Sequence, residues 1–178
     1  GEKLFYLPQK REGNPVIFEY RMSRDCQAVL QYLERYNDLV KIDTSCSFLN
    51  SSRRILEEAD LVVVNLFQNE AALSHFFSNY SNIRKKAFYL IGNYEEDSCM
   101  TRGEILKRYR IPGSHLGVIP RNAGFCDAVS GGDLIPFFLR LYHGEGKKED
   151  RGFWERITEA YQLLSNVMER KEEKVYYA

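Results

Sequence analysis

Polar side chains that could bind a ligand follow the short apolar runs of this 178-residue sequence. Asp43, Asn93 and Asn122 each stand at or just after the end of such a run. Gln68 follows a fourth run. Ligands of open parallel sheets bind beyond the carboxyl ends of the strands. If the runs are parallel strands, these side chains therefore mark the edge of the sheet where a ligand would bind.

Other kinds of catalytic or metal site lack their residue patterns in this sequence. The four cysteines form no C-x-x-C pair and have no histidine pair nearby, so we assign no metal ligands. We expect them to be free thiols. The three histidines, His75, His115 and His143, belong to no serine or cysteine triad motif, and G-x-S-x-G does not occur.

The charge balance gives no general attraction to nucleic acid or anionic lipid, because 25 basic residues offset 25 acidic ones. We interpret the basic cluster at 84–86 as a solvated turn. No apolar run approaches the roughly 18 residues of a membrane span, and no signal peptide is recognised at the start. We therefore expect a cytoplasmic protein without a specific nucleic-acid partner, and peripheral membrane contact is not favoured.

Short apolar runs alternate with amphipathic stretches along the chain, which is typical of β-α-β units. We predict a three-layer α/β fold, with a mostly parallel sheet flanked by helices and a long C-terminal helix. The predicted strands are Lys3–Leu7, Asp38–Asp43, Asp60–Phe67, Lys86–Ile91 and His115–Ile119. The predicted helices are Ser23–Tyr36, Asn50–Glu58, Glu70–Phe77, Thr101–Tyr109, Asn122–Val129 and Leu134–Tyr142. Pro15–Tyr20 is a further short apolar run.

Two helix starts have capping signals. Ser23 is a plausible N-cap for its helix, and Thr101 with Glu104 forms the sequence pattern of a capping box. The run 61–64 is continuously apolar, which predicts a strand that is covered on both faces.

The C-terminal part of the chain predicts a separate helix. We assign residues 1–143 to the α/β domain, 144–151 to a charged hinge and 152–178 to an amphipathic helix. Its apolar seam, spaced by three and four residues, consists of Trp154, Ile157, Tyr161, Leu164 and Met168. This seam could pack on the sheet, form a dimer interface or lie on a membrane. The mixture of Glu and Arg on the polar face argues against the membrane.

The order of four elements resembles the second half of ParA/MinD-type ATPases, a group that includes the pilus-assembly protein TadZ. Tyr36–Thr44 resembles the family's strand ending in aspartate, and Ala59–Val64 its Ala-Asp and valine-rich strand. Leu90–Asn93 resembles the strand ending in asparagine. Gly117–Asn122 resembles the Ile-Pro element, and the segment 128–132 the helix that follows it. The resemblance covers about residues 36–143.

The resemblance implies roles for four residues and a cofactor, ATP with magnesium. Asp43 matches the acidic residue that orients magnesium or its bound water. Asn93 matches the residue that reads the nucleobase, and Pro120 with Asn122 matches the loop on the other side of the base. Each polar residue also has a structural alternative. Asp43 could cap a helix or close a turn, Asn93 could be a turn residue, and Asn122 could be an N-cap.

The sequence departs from the family at the phosphate-binding loop. The pattern G-x-x-x-x-G-K-[ST] does not occur, and the segment Gly144–Lys147 follows a predicted helix instead of a strand. Asp43 could then act in catalysis only with a phosphate loop supplied, so whether this chain is an enzyme stays open. We expect no ATP hydrolysis by this chain alone.

The resemblance instead suggests a positioning or assembly role, in localising a pilus or secretion machine or in partitioning cargo. The expected partners are proteins, with a homodimer favoured. One alternative is a fragment of an active ATPase whose phosphate-loop half precedes Gly1. Another is a receiver-like regulatory domain, which would need an acidic cluster at one strand end.

Overall fold

The computed structural model describes residues 14–44 and 49–176. The chain divides into two compact units, Gly1–Ala59 and Asp60–Ala178, and each is described by itself. The predicted strand Lys3–Leu7 lies outside the described residues.

The first unit contains two helices, α1 (Pro15–Tyr36) and α2 (Asn50–Glu58). Asn14 caps α1, because its Oδ1 accepts hydrogen bonds from the backbone N–H groups of Val16 (2.9 Å) and Ile17 (3.4 Å). Proline suits the first helical position, where no N–H partner is needed. The two helices share a small buried cluster, which consists of Cys26, Leu30 and Ile55, with Met22 packed against it.

Two predictions for this unit are wrong. The helix does not begin at Ser23: residues 15–20 are helical, and the Ser23 hydroxyl donates to the Tyr20 carbonyl inside α1 at 3.1 Å. Residues 38–44 form no strand. Leu39 is 68% exposed and Ile42 is also exposed, so this apolar run lacks the pairing and burial that stabilise a strand.

The second unit is built on a parallel sheet of three strands in the order β1-β2-β3. The strands are β1 (Val62–Phe67), β2 (Ala87–Tyr94) and β3 (Leu116–Pro120). The helices are α3 (Glu70–Asn79), α4 (Arg102–Tyr109), α5 (Ala123–Gly131), α6 (Leu134–Tyr142) and α7 (Lys148–Tyr176). Short 3-10 helices at Ser81–Lys86 and Gly113–His115 precede β2 and β3. The predicted α/β fold, with a parallel sheet flanked by helices and a long C-terminal helix, is confirmed.

Different helices pack on the two faces of the sheet, but one side of β1 is not covered. Val63 is 41% and Phe67 68% exposed, so the prediction that this strand is covered on both faces is wrong. Tyr89 of β2 is paired with Leu116 of β3 and lies against the rings of Phe76 and Phe77 on α3, with centroids 6.1 and 5.2 Å away. The opposite face carries Gly117. A Cβ added there would lie 2.8 Å from Cβ of Ala160 on α7, so the glycine allows α7 to approach the sheet closely.

The buried face of α7 is shifted by one residue from the predicted seam. Phe153, Ala160 and Val167 are buried, whereas Tyr161 is 68% exposed. One residue rotates a position by about 100° around a helix, so a shift of one moves the predicted seam from the centre of the buried face to its edge. The other predicted seam residues are partly buried: Trp154, Ile157, Leu164 and Met168. Of the three uses considered for this helix, packing on the sheet is the one observed, and a dimer interface stays a prediction.

Helix α7 begins at Lys148, inside the segment 144–151 predicted as a hinge. The backbone N–H of Lys147 donates to Oδ2 of Asp150 at 3.2 Å, and the Glu145 N–H donates to the Arg140 carbonyl at 2.9 Å. Residues 144–147 therefore form a hydrogen-bonded turn between α6 and α7.

Candidate functional site

Three of the four residues assigned to nucleotide binding or catalysis lie at the carboxyl edge of the sheet. Tyr94, which follows Asn93, is paired with Pro120, and its carbonyl accepts from the Arg121 N–H at 3.2 Å. Asn122 comes directly after this pair. Asp43 belongs to the first unit, where it is exposed and follows no strand. The second unit therefore brings together Asn93, Pro120 and Asn122.

Asn93 has an unusual backbone conformation and an exposed side chain. Its φ is 49°, in the left-handed region that asparagine tolerates better than most residues. The pairing of β2 with β3 is irregular between Ile91 and Tyr94, so Asn93 lies at a bulge near the end of the strand. The left-handed backbone at the bulge is a sufficient reason for an asparagine at this position. The side-chain amide is exposed to solvent at the carboxyl edge.

The Asn122 side chain is buried and makes its hydrogen bonds within the protein. Its side chain is 7% exposed; Oδ1 accepts from the Phe125 N–H at 2.7 Å, and Nδ2 donates to Oδ1 of Asp150 at 3.0 Å. The first bond caps α5 and the second ties this cap to α7. The alternative that Asn122 is an N-cap is confirmed, and its contact with a nucleobase stays a prediction.

Gln68 stabilises the same edge, a role that the sequence analysis missed. Its Nε2 donates to the carbonyls of Glu95 (3.0 Å) and Met100 (2.9 Å), and its Oε1 accepts from the Glu95 N–H (2.8 Å). The only sequence signal was its position after a strand. The amide connects the end of β1 to the loop after β2, so it is occupied by backbone groups.

Ion pairs connect the loop after β2 to neighbouring elements. Arg156 of α7 contacts Glu96 at 2.9 Å and Glu159 at 3.0 Å, and Arg121 lies 3.9 Å from Glu95. The hydrogen bond that Arg156 donates to Glu159 is the main cause that raises the pKa of Arg156, and Glu96 adds to it. These side chains are largely solvated, so each pair contributes little to stability.

The opposite edge of the sheet contains a basic cavity of about 200 Å³. Arg84 and Lys85 come from the segment before β2, and Arg110 and His115 from the segment before β3. Tyr89, which is buried, lies among them. The prediction of a solvated turn at 84–86 did not include this cavity, because nothing in the local sequence indicates that a second basic segment meets Arg84 and Lys85.

An apolar face of α6 is exposed. Ile135 is 74% exposed and Tyr142 is 72% exposed, and Leu139 between them is also exposed. The residues on the other side, Phe137 and Leu141, are buried in a cluster with Phe153 of α7. Helix α6 is therefore apolar on two sides but buried on one.

Within residues 14–44 and 49–176, no group of three or more His, Cys, Asp or Glu side chains is arranged to hold a metal ion. Among the described helices, none is both long and apolar enough to cross a membrane. Comparisons with protein-family models, curated proteins and solved structures find no match to this chain.

Proposed function

We propose that this chain is a protein-binding α/β domain that forms a homodimer through α6 and has a positioning or assembly role of the ParA/MinD kind. The observation that carries the proposal is the exposed apolar face of α6, formed by Ile135, Leu139 and Tyr142. Contiguous exposed apolar surface of this kind marks interaction sites in soluble proteins.

The spacing of this face suits a helix partner. Residues separated by four and three positions lie on one side of a helix, so Ile135, Leu139 and Tyr142 form one stripe. Val129 of α5 is also exposed and lies in the preceding helix, which packs with α6. Burying apolar surface contributes about 25 cal/mol of stabilising free energy per Å². The stripe contributes this free energy only when a partner covers it.

The charges around the stripe favour a second copy of the chain. In an antiparallel pair of α6 helices, Ile135 of one copy faces Tyr142 of the other. Asp133 at the start of α6 then approaches the end of the other helix, where Arg140 and His143 lie. Antiparallel helix dipoles attract, and a two-fold interface uses the same patch twice. The segment mixes acidic and basic residues, so it does not favour an anionic membrane.

The positioning or assembly role rests on the resemblance to ParA/MinD-type proteins. Asn93 and Pro120 at the carboxyl edge of the second unit are consistent with it. The segment Gly144–Lys147, whose N–H groups at Glu145 and Lys147 bond within the protein, fits a domain that binds partners without its own phosphate loop.

Sedimentation equilibrium of the wild-type chain and of Ile135→Asp tests the dimer. We expect a dimer whose dissociation constant rises at least about 100-fold in the variant, because a charge is buried within an apolar interface. Tyr161→Asp is the matched control, since Tyr161 is equally exposed but lies on α7. A wild-type monomer at about 100 μM, or a dimer that only Tyr161→Asp disrupts, would contradict the α6 interface.

A second candidate function, nucleotide binding, is favoured by the exposed amide of Asn93 at the carboxyl edge. Calorimetry with ATP and magnesium should show binding that Asn93→Ala weakens about tenfold, which equals the loss of one good hydrogen bond. Asn69→Ala, which removes the exposed cap of α3, is the control. No heat at millimolar ATP, or equal binding by both variants, would rule out this site.

A further inference from the structure

We propose that the basic cavity at the amino ends of β2 and β3 binds a phosphate group. This site uses none of the residues of the proposed dimer face or of the carboxyl edge. A failure of phosphate binding would therefore not contradict the proposed function, and a failure of dimerisation would not contradict phosphate binding.

Two segments that are distant in sequence bring basic side chains into this cavity. Arg84 and Lys85 precede β2, which begins at Ala87, and Arg110 and His115 precede β3, which begins at Leu116. No acidic residue is among the described residues that line it. The segments 81–94 and 105–119 contain no Asp or Glu either, although the chain as a whole is neutral. The positive charge is therefore concentrated locally.

Arg84 is held in place before any ligand arrives. Its Nη2 donates to the Tyr109 carbonyl, and its guanidinium lies 5.4 Å from the centre of the Phe77 ring. Phe77 stacks on Tyr109 with centroids 4.4 Å apart. A guanidinium fixed in this way loses little freedom on binding, which favours affinity.

Arg110 has a backbone conformation that costs energy for most residues other than glycine. Its φ is 53°, and it terminates α4 where helices commonly end with glycine. The left-handed residue turns the chain from α4 toward β3. Glycine would form the same turn without strain, so the backbone does not require an arginine here, and the arginine side chain lines the cavity.

The charges of these side chains are not neutralised by carboxylates that the structure describes. Arg84, Lys85 and Arg110 form no salt bridge with any of them, whereas Arg108 on the same helix as Tyr109 pairs with Glu70. Guanidinium and ammonium groups bind phosphate through charge-assisted hydrogen bonds. Tyr89 adds a hydroxyl beside Arg84: burial raises the pKa of Tyr89, and the Arg84 charge opposes this rise.

The size of the cavity limits what enters it. About 200 Å³ is below the roughly 300–1,000 Å³ of sites that enclose a drug-sized ligand. A phosphate group fits, and the rest of its molecule stays outside. The phosphate could belong to a small phosphorylated compound or to a nucleic-acid backbone, and the experiment separates the two.

The test is a calorimetric titration of the full chain with inorganic pyrophosphate, with a 12-nucleotide single-stranded DNA as the second probe. We expect pyrophosphate binding that Lys85→Gln and Arg110→Gly each weaken at least about tenfold. Arg110→Gly relieves backbone strain, so its loss of binding would not come from unfolding. Lys148→Gln removes an exposed lysine outside the cavity and should bind as the wild type does.

The two probes identify the source of the phosphate. DNA binding at least about 100-fold tighter than pyrophosphate, with a steep salt dependence, would identify a nucleic-acid backbone. Comparable or weaker DNA binding would identify a small phosphorylated compound. No pyrophosphate or DNA binding at about 10 mM ligand, or binding that Lys148→Gln weakens as much as the cavity variants do, would overturn the proposal.

Discussion

The two edges of the central sheet differ in how their polar side chains are used. At the carboxyl edge, Gln68 binds backbone groups and Asn122 binds a helix end and Asp150. At the amino edge, Arg84 and Lys85 line a cavity without a salt bridge to a described carboxylate. Parallel sheets usually bind ligands at the carboxyl edge. Here side-chain charge is available at the other edge, so topology alone does not identify where a ligand binds.

Helix α7 contributes to this difference. It supplies Asp150 to the cap of Asn122, Arg156 to Glu96 and Phe153 to the buried cluster, all at or near the carboxyl edge. The amino-edge cavity is lined by the segments that lead into β2 and β3. Variants that disturb one edge while the other is measured separate the two.

The largest effect is expected from Gly117→Val. The new side chain would meet Ala160 and Leu90, because even a Cβ at Gly117 lies 2.8 and 3.0 Å from their atoms. The variant should lose about 3 kcal/mol of unfolding free energy in urea denaturation, as overpacked sites do. Gly113→Ala, which has open space around it, should change stability by less than about 0.5 kcal/mol. Equal stability of the two variants would show that α7 does not pack closely on β3.

Asn122→Ala should have the next largest effect. It removes the cap of α5 and leaves Asp150 without the amide, which should cost about 1–2 kcal/mol of unfolding free energy. Asn69→Ala removes one exposed cap bond and should cost about 0.5 kcal/mol. Asn122→Ala should leave pyrophosphate binding at the amino edge unchanged. If Asn122→Ala and Asn69→Ala lose the same unfolding free energy, the hydrogen bond from Asn122 to Asp150 contributes nothing to stability.

Arg110→Gly should act in the opposite direction on stability. Replacing an arginine whose backbone is in the left-handed region should raise the unfolding free energy by about 0.5 kcal/mol. The same substitution should abolish most of the affinity for phosphate. Denaturation and pyrophosphate titration of the same sample measure both. A variant that is less stable than the wild type would show that the arginine side chain contributes to folding at this edge.

The smallest effect is expected from Tyr89→Phe at high pH. Burial raises the pKa of Tyr89 above its ordinary value of 10.0, so the neutral phenol stabilises the fold below that pH. This stability is lost as the pH rises through the pKa of the folded state, at up to about 1.4 kcal/mol per pH unit. Between pH 9 and 11 the variant should lose a few tenths of a kcal/mol less than the wild type. Tyr161→Phe, an exposed position, is the control, and identical pH profiles for all three chains would contradict the burial effect.

Elements with strong local signals were predicted well. Helices Asn50–Glu58 and Leu134–Tyr142 have the predicted bounds, and the sequence analysis placed β1, β2 and β3 within two or three residues of their observed ends. The Thr101 side chain accepts from the Glu104 N–H at 3.3 Å, as half of the predicted capping box requires. Apolar runs, breakers and caps are local properties, so the sequence reveals them directly.

Residues with a role that depends on a distant neighbour were missed. The predicted seam of α7 included Tyr161 because it is large and apolar, but Ala160 faces the sheet because only a small residue fits over Gly117. The carboxyl edge could be predicted because strand ends are visible in sequence. The amino-edge cavity could not, because Arg84 and the Tyr109 carbonyl that holds it are 25 residues apart.

By itself, the sequence determined the α/β class, the positions of three strands along the chain and most helix boundaries, because these follow from hydrophobic period and backbone preference. It also determined the absence of a phosphate-loop motif. Tertiary structure decided which face of α7 is buried. It also decided that the Asn122 amide donates a hydrogen bond to Asp150, and that two basic segments line one cavity. These features depend on which surfaces approach one another, and close packing is decided by the whole unit and not by any one segment.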